Sequence, residues 1–114
     1  MKTKIKKEMR DDIAVLHFSG NLFGGPDSSE KLPDEIKKVL DYGIKKVVFD
    51  LEDVKRMNST GLGILMRGYT TLKNNEANLK LVCLNESIEG VMVLTKMNTV
   101  FEIYRTIEGA VRNF

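Results

Sequence analysis

The chain has 114 residues, of which 42% are hydrophobic and 30% are charged, as is ordinary for one soluble domain with one core. Only two prolines occur, and no low-complexity tract argues for disorder. The net charge is +2, and five basic residues lie within the first ten positions, so a basic nucleic-acid-binding face on the folded body is not expected. We expect instead a basic edge strand, whose lysines discourage edge-to-edge pairing.

The elements predicted from hydrophobic periodicity and turn residues alternate between strands and helices. The first half of the chain is predicted to contain strands at 4–10 and 13–19 joined by a turn at Asp11–Asp12, a glycine-rich loop at 20–26, a helix capped by Asp27 or Ser28 and ending near Tyr42 before Gly43, and a strand at 45–51. The second half is predicted to contain a helix at 59–74, a strand at 79–84, a helix opening at Ser87, a short extended segment near Val100–Phe101 and a helix at 106–113. This order, ββαβαβα(β)α, favours crossover connections between parallel strands. We therefore predict one α/β domain over residues 1–114, with a mixed, mostly parallel sheet of four to five strands. An N-terminal antiparallel hairpin and about four helices complete it.

The cysteine content and the N-terminus bear on the compartment. Cys83 is the only cysteine and lies in the apolar segment L-K-L-V-C-L, which predicts a core residue, since one thiol builds neither a disulfide nor a zinc site. The N-terminus lacks the pattern of a signal peptide, and no apolar run has the length of a membrane span. We expect a cytoplasmic protein that binds neither nucleic acid nor a membrane.

Residues 57–63, M-N-S-T-G-L-G, link a predicted buried strand to an amphipathic helix. Strand-to-helix turns of this kind lie at the carboxyl ends of the strands, where α/β proteins bind ligands and partners. Asn58, Ser59 and Thr60 can each cap the helix. Simple capping does not require Gly61 and Gly63, because each glycine costs roughly 1 kcal/mol relative to alanine in a helix. We therefore expect an accessible helix N-terminus that another group approaches closely.

The segment matches the motifs of nucleotide-binding loops and of catalytic serines poorly. It lacks the third glycine of a dinucleotide fingerprint, and no G-K-[ST] follows for a P-loop. The run M-N-S-T-G does not match the G-x-S-x-G of a nucleophilic serine. The only histidine, His17, lies within a predicted strand, and no carboxylate is visibly placed to orient it. We expect no catalytic residue, although phosphate could bind the bare helix end.

The segment V-V-F-D-L-E-D-V-K-R-M-N-S-T-G-L-G-I-L, residues 47–65, resembles the signature of STAS domains, and most of all that of the anti-sigma factor antagonists of bacterial partner-switching systems. The family pattern is a strand ending in D-L, a few residues, and then D-S-[ST]-G-L-G at the start of a helix. Asp50–Leu51 and Ser59–Gly63 match it position by position. The order and length of the flanking elements extend the resemblance over nearly the whole chain.

The resemblance implies a signalling module of transcription regulation without catalysis, cofactor or metal. Ser59 would be phosphorylated by a GHKL-type kinase that is also the anti-sigma factor. The unmodified protein would bind this kinase and displace the sigma factor, and a PP2C-type phosphatase would restore the unmodified form. The expected partner-binding residues are Leu22, Phe23, Asn58, Ser59, Thr60, Gly61 and Gly63.

Two positions depart from the family pattern. Asn58 stands where the family usually has aspartate, so a negative charge beside the acceptor serine is lost. The family's G-x-L-D loop is represented by Gly20, Leu22 and Phe23, so that an acidic contact is replaced by an apolar one. The alternative function is a STAS-type sensor module that binds a nucleotide or a small anion at the N-terminus of the second helix.

Overall fold

A computed structural model describes residues 3–82 and 85–114 of the protein, without the side chains of residues 26–30. Its elements, in chain order, are β1 Lys4–Arg10, β2 Ile13–Leu22, α1 Pro26–Asp41, β3 Lys46–Met57, α2 Ser59–Asn74, β4 Asn78–Val82, α3 Glu86–Leu94, a 3-10 turn Met97–Thr99, β5 Glu102–Tyr104 and α4 Ile107–Arg112. The prediction for Cys83 and for the end of the fourth strand at Leu84 lies outside the described residues. So do the side chains of Asp27 and Ser28.

The five described strands form one sheet in the order β1-β2-β3-β4-β5. β1 and β2 form the antiparallel hairpin, and each later strand pairs in parallel with the strand before it. The predicted α/β architecture is therefore confirmed. β1 is an edge strand, as its lysines indicated.

The helices divide between the two faces of the sheet. Ala14, Leu16 and Phe18 of β2 pack into the larger core beneath α1, α2 and α3. Ile13 and Val15 point to the opposite face, where α4 contributes Ala110 to a smaller core. Because successive side chains of a strand point to opposite faces, the parity of a residue in β2 tells which group of helices it meets.

A glycine of α2, Gly68, lies against side chains of α1. A Cβ on Gly68 would lie 3.0 Å from Ile36 Cδ1 and 3.2 Å from Leu32 Cδ2, so these side-chain ends would have to shift by a few tenths of an ångström to accommodate it. At the C-terminus of α1, Gly43 has a φ of 77° and donates its backbone N–H to the Leu40 carbonyl oxygen over 2.9 Å. This is the predicted glycine stop.

The predicted ends of β2 and β3 were wrong. The predicted loop at 20–26 is strand as far as Leu22, and the predicted strand at 45–51 continues to Met57. The two extensions pair with each other, with Gly20 opposite Val54 and Leu22 opposite Met57, after register irregularities near Ser19 and Asn21. Such irregularities let a strand continue through residues that otherwise indicate a turn.

Two smaller boundaries also differ. The helix α1 begins at Pro26 with Gly25 as its N-cap, not with Asp27 or Ser28 as the cap, because proline suits the first helical position. The last strand lies at Glu102–Tyr104 rather than near Val100–Phe101. Phe101 instead packs its ring edge-on against Tyr69, with the ring centroids 5.3 Å apart.

Candidate functional site

The N-terminus of α2 is capped by Asn58. This residue has an extended backbone, and its side-chain oxygen accepts a hydrogen bond from the Gly61 backbone N–H over 2.9 Å. Ser59 is therefore the first residue of the helix. Asn58, Ser59 and Thr60 are all exposed, and no acidic residue lies in the first turn. Ser59 is thus an exposed residue at the positive end of the helix dipole.

Gly61 is buried against the chain itself. A Cβ on Gly61 would overlap the carbonyl oxygen of Leu22. The same oxygen accepts a hydrogen bond from the Asn58 backbone N–H over 3.4 Å. A group does approach the turn closely, as the sequence indicated, but that group is the end of β2. Gly61 is therefore not available to a partner, which corrects the expectation for this residue.

Gly63 differs from Gly61 in its surroundings. No heavy atom outside the local helix would lie within 4 Å of a Cβ on Gly63, and the residue is half-buried. Packing within the domain therefore does not require glycine at position 63. Open space at this position is compatible with its predicted place on a partner-binding surface.

Leu22 and Phe23 have opposite environments. Leu22 is 1% exposed and belongs to the main core, because the extension of β2 turns it inward. The expectation that Leu22 contacts a partner was therefore wrong. Phe23 is 44% exposed and lies just beyond the strand.

The loop that carries Phe23 lies against the N-terminal tip of α2. Gly24 has a φ of 87°, and a Cβ on it would overlap the Thr60 methyl group. Gly24 therefore leaves room for the Thr60 methyl group beside the loop, and Thr60 is itself exposed. We call the exposed residues Phe23, Asn58, Ser59, Thr60 and the half-buried Gly63 the switch surface.

His17 lies between two carboxylates. Its Nδ1 is 2.7 Å from Asp50 Oδ2, and its Nε2 is 2.7 Å from Glu8 Oε1. The expectation that no carboxylate orients this histidine was wrong. Burial lowers the pKa of His17, but the hydrogen bonds to Glu8 and Asp50 outweigh burial and hold it above its ordinary value. By strand parity, His17 lies on the α4 face, whereas α2 packs on the other face. The geometry therefore does not assemble a serine–histidine pair.

We also searched the described part of the chain for metal sites, membrane-spanning helices and clefts near the tip of α2. Within residues 3–82 and 85–114, no group of three or more histidine, cysteine, aspartate or glutamate side chains is placed to hold a metal ion. No described helix is both long enough and apolar enough to cross a membrane. The linings of four clefts on the described surface include none of residues 57–60.

The fold and the motif define the class of this protein. The model of the STAS domain family matches residues 4–110, and the chain belongs to this family. Its relatives carry a more specific name. The anti-sigma-B factor antagonist of Bacillus subtilis is 29% identical over 108 residues, which cover 93% of this chain and 94% of the relative.

Two further proteins carry similar names. A candidate anti-sigma factor antagonist of Thermotoga maritima is 31% identical over 71 residues, which cover 62% of this chain and 63% of the relative, so the match spans less than two thirds of that protein. The crystal structure of an anti-sigma factor antagonist from Mycobacterium paratuberculosis is 23% identical and has a TM-score of 0.82, covering 98% of this chain and 93% of that chain. This last likeness concerns the fold.

Proposed function

We propose that this protein is an anti-sigma factor antagonist, a protein-binding module of a bacterial partner-switching pathway that is switched by phosphorylation of Ser59 and performs no catalysis itself. The observation that carries the proposal is the exposed Ser59 at the first position of α2, within the motif of the STAS family. The names of its relatives support the same pathway.

The site can accept a phosphate without loss of the fold. A phosphoserine carries about −1.5 to −2 charges at pH 7. At a helix N-terminus this charge is favourable by about 0.3–1 kcal/mol, and the first turn contains no acidic residue that would oppose it. Ser59 packs in no core cluster. The effect of modification must therefore fall on binding.

A docked partner would meet the phosphate on the switch surface. Phe23 supplies exposed apolar area between two residues that lie against the helix tip, and the half-buried Gly63 leaves space above the first turn. A partner that covers these residues would have to desolvate the dianion, which is costly without a matching cation. A penalty of about 2.8 kcal/mol weakens binding about 100-fold.

Leu22 and Gly61 have a supporting role in this proposal. The Leu22 carbonyl oxygen fills the space that a side chain at Gly61 would need, and it accepts the Asn58 N–H. Together with the nearness of Gly24 to Thr60, this packing places the Phe23 loop against the tip of α2. The two halves of the switch surface are therefore presented as one unit.

The proposed partners are a GHKL-type serine kinase that also acts as the anti-sigma factor, and a PP2C-type phosphatase that removes the phosphate. The kinase would bind the unmodified module and release its sigma factor. Asn58 lacks the charge of the usual aspartate but retains its cap. We therefore place any difference from other family members in the rate of phosphorylation rather than in the position of the helix.

The proposal is tested with the full chain, its cognate kinase and ATP. Mass spectrometry should map one phosphate to Ser59. Ser59→Asp should weaken binding to the kinase about 100-fold, whereas Ser59→Ala should bind and resist modification. Thr70→Asp introduces the same charge at an exposed position further along α2 and should change binding little. Phosphate at another residue, or equal binding by Ser59→Asp and Thr70→Asp, would refute the switch.

A further inference from the structure

A second surface feature lies between α1 and α2. The two helices enclose an open cleft of about 400 Å³, which falls within the range of small-molecule sites. Its apolar floor consists of the apolar residues that line it, Leu32, Pro33, Ile36, Leu40 and Ile64. Pro33 is exposed and Leu40 is half-buried, whereas the other three also belong to the main core. Gly68 also lines the cleft and adds no side chain to it.

The charged residues described in the lining of this cleft are Lys37, Asp41 and Arg67, which together leave one positive charge unbalanced. Lys37 and Asp41 of α1 neutralise each other through a 2.9 Å ion pair. Arg67 of α2 lines the same cleft and is exposed. Among the described side chains, its guanidinium group has no ion pair or hydrogen bond. An apolar floor beside one guanidinium group that has no partner among the described side chains favours a ligand that is apolar along its length and carries one anionic group.

We propose that the α1–α2 cleft binds a small monocarboxylate with an apolar tail, of the kind represented by a medium-chain fatty acid. The tail lies over Leu32, Ile36 and Ile64, and the carboxylate pairs with Arg67. A planar guanidinium matches a carboxylate through two parallel hydrogen bonds. The apolar floor supplies affinity through the burial of methylene groups. This site is independent of the proposed phosphorylation of Ser59.

The apolar tail and the carboxylate of the ligand should each contribute measurably to its affinity. Each additional methylene group that is buried should tighten binding by up to about fourfold until the cleft is full. The loss of the carboxylate should weaken binding by about tenfold or more, because hydrogen bonds between charged groups are stronger than neutral ones. Decanol and decanoate, which share a tail, separate these two contributions.

The experiment titrates the full chain with octanoate and decanoate below their micelle concentrations and follows the backbone amides by NMR. We expect saturable shifts confined to α1 and α2, tighter binding of decanoate than of octanoate, and at least tenfold weaker binding of decanol. Arg67→Gln should weaken decanoate binding about tenfold or more. Thr71→Trp, which places a large side chain at the exposed rim of the cleft, should abolish it.

Lys73→Gln is the matched control, because it removes one positive charge from the same helix outside the residues that line the cleft. It should bind decanoate like the unmodified chain, and thermal unfolding should show that all three variants are folded. The proposal is overturned by the absence of saturable binding, by shifts centred elsewhere, by equal affinities for decanol and decanoate, or by equal losses in Arg67→Gln and Lys73→Gln.

Discussion

Gly61 and Gly63 lie two positions apart in one turn of α2, but their missing side chains have different consequences. Gly61→Ala should lower the free energy of unfolding by roughly 1–3 kcal/mol, because the new Cβ overlaps a backbone oxygen that cannot rotate away. Gly63→Ala should raise it by up to about 1 kcal/mol, since alanine is the better helix former and meets no neighbour there. Urea denaturation measures both values. Equal effects would show that Leu22 does not restrict position 61.

The Asn58 cap makes a second prediction for a single residue. Asn58→Ala should destabilise the protein by about 1 kcal/mol, because the Gly61 N–H loses its side-chain acceptor. Asn58→Asp should keep the cap and add about 0.3–1 kcal/mol, since a carboxylate is favourable at the positive end of a helix. Chemical denaturation at low salt separates the two. Asn74→Ala at the far end of the helix serves as control, and a similar loss there would argue against capping.

At the start of α2, the sequence predicted some features of individual residues but not others. The run N-S-T-G predicted a capped and accessible helix start, because all three polar residues suit that position. It left open which one caps, since that depends on the backbone at Asn58. The inward turn of Leu22 could not be read from the sequence, because glycines on both sides indicated a loop.

At the level of elements, His17 connects three neighbouring strands. The imidazole of β2 lies between Glu8 of β1 and Asp50 of β3, 2.7 Å from each carboxylate. Asp50 is buried, so a neutral imidazole would leave this carboxylate with a weaker partner. The protonated histidine therefore holds the basic edge strand to the interior of the sheet.

This arrangement predicts a specific pH dependence of stability. The pKa of His17 is raised above 6.5, so its contribution is complete below pH 6.5 and is lost as the pH rises through the folded-state value. The pKa of Glu8 is lowered from 4.5, chiefly by its hydrogen bonds to His17 and Arg10. Its contribution is lost as the pH falls through that lowered value. Stability should therefore be greatest between the two.

Thermal unfolding between pH 4 and pH 9 measures this profile. His17→Gln should remove the decline on the alkaline side, because the chain contains no other histidine. Arg10→Gln changes a neighbour of Glu8 without removing the imidazole, so the alkaline decline should remain. An unchanged alkaline decline in His17→Gln would assign the titration to another group.

The types of the elements were more predictable than their ends. The helix at 59–74 was predicted with its observed bounds, because its cap, its apolar stripe and its asparagine stop agree. The strands β2 and β3 were predicted too short. Their last residues are strand because they pair with each other, and such pairing between distant segments leaves no local pattern.

For the molecule as a whole, the alternation of strands and helices was sufficient to predict the architecture, but not which face α4 covers. That face holds Lys80, which is 4% exposed although it is charged. Its Nζ is 3.1 Å from Glu102 Oε2 and about 5 Å from the ring centres of Tyr104 and Phe114. This lysine connects β4 to β5 and to the last residue of the chain.

Lys80→Ala should therefore loosen the C-terminal part of the molecule and lower the free energy of unfolding by about 2 kcal/mol, through the loss of a buried side chain. Lys80→Met keeps most of the apolar stem and should cost less, because Glu102 is largely exposed and can be hydrated. Hydrogen exchange of residues 107–114 reports the effect locally. Equal exchange in the two variants would mean that the stem contributes nothing.

The strand order also bears on how the protein is made. Every strand of the sheet lies beside the strand that precedes it in the chain, so a ribosome releases each new strand next to an edge that already exists. Domains can fold from their N-terminal side during synthesis. Growth of this sheet would thus proceed in one direction from the first hairpin, with β5 and the C-terminal helix joining as they leave the exit tunnel.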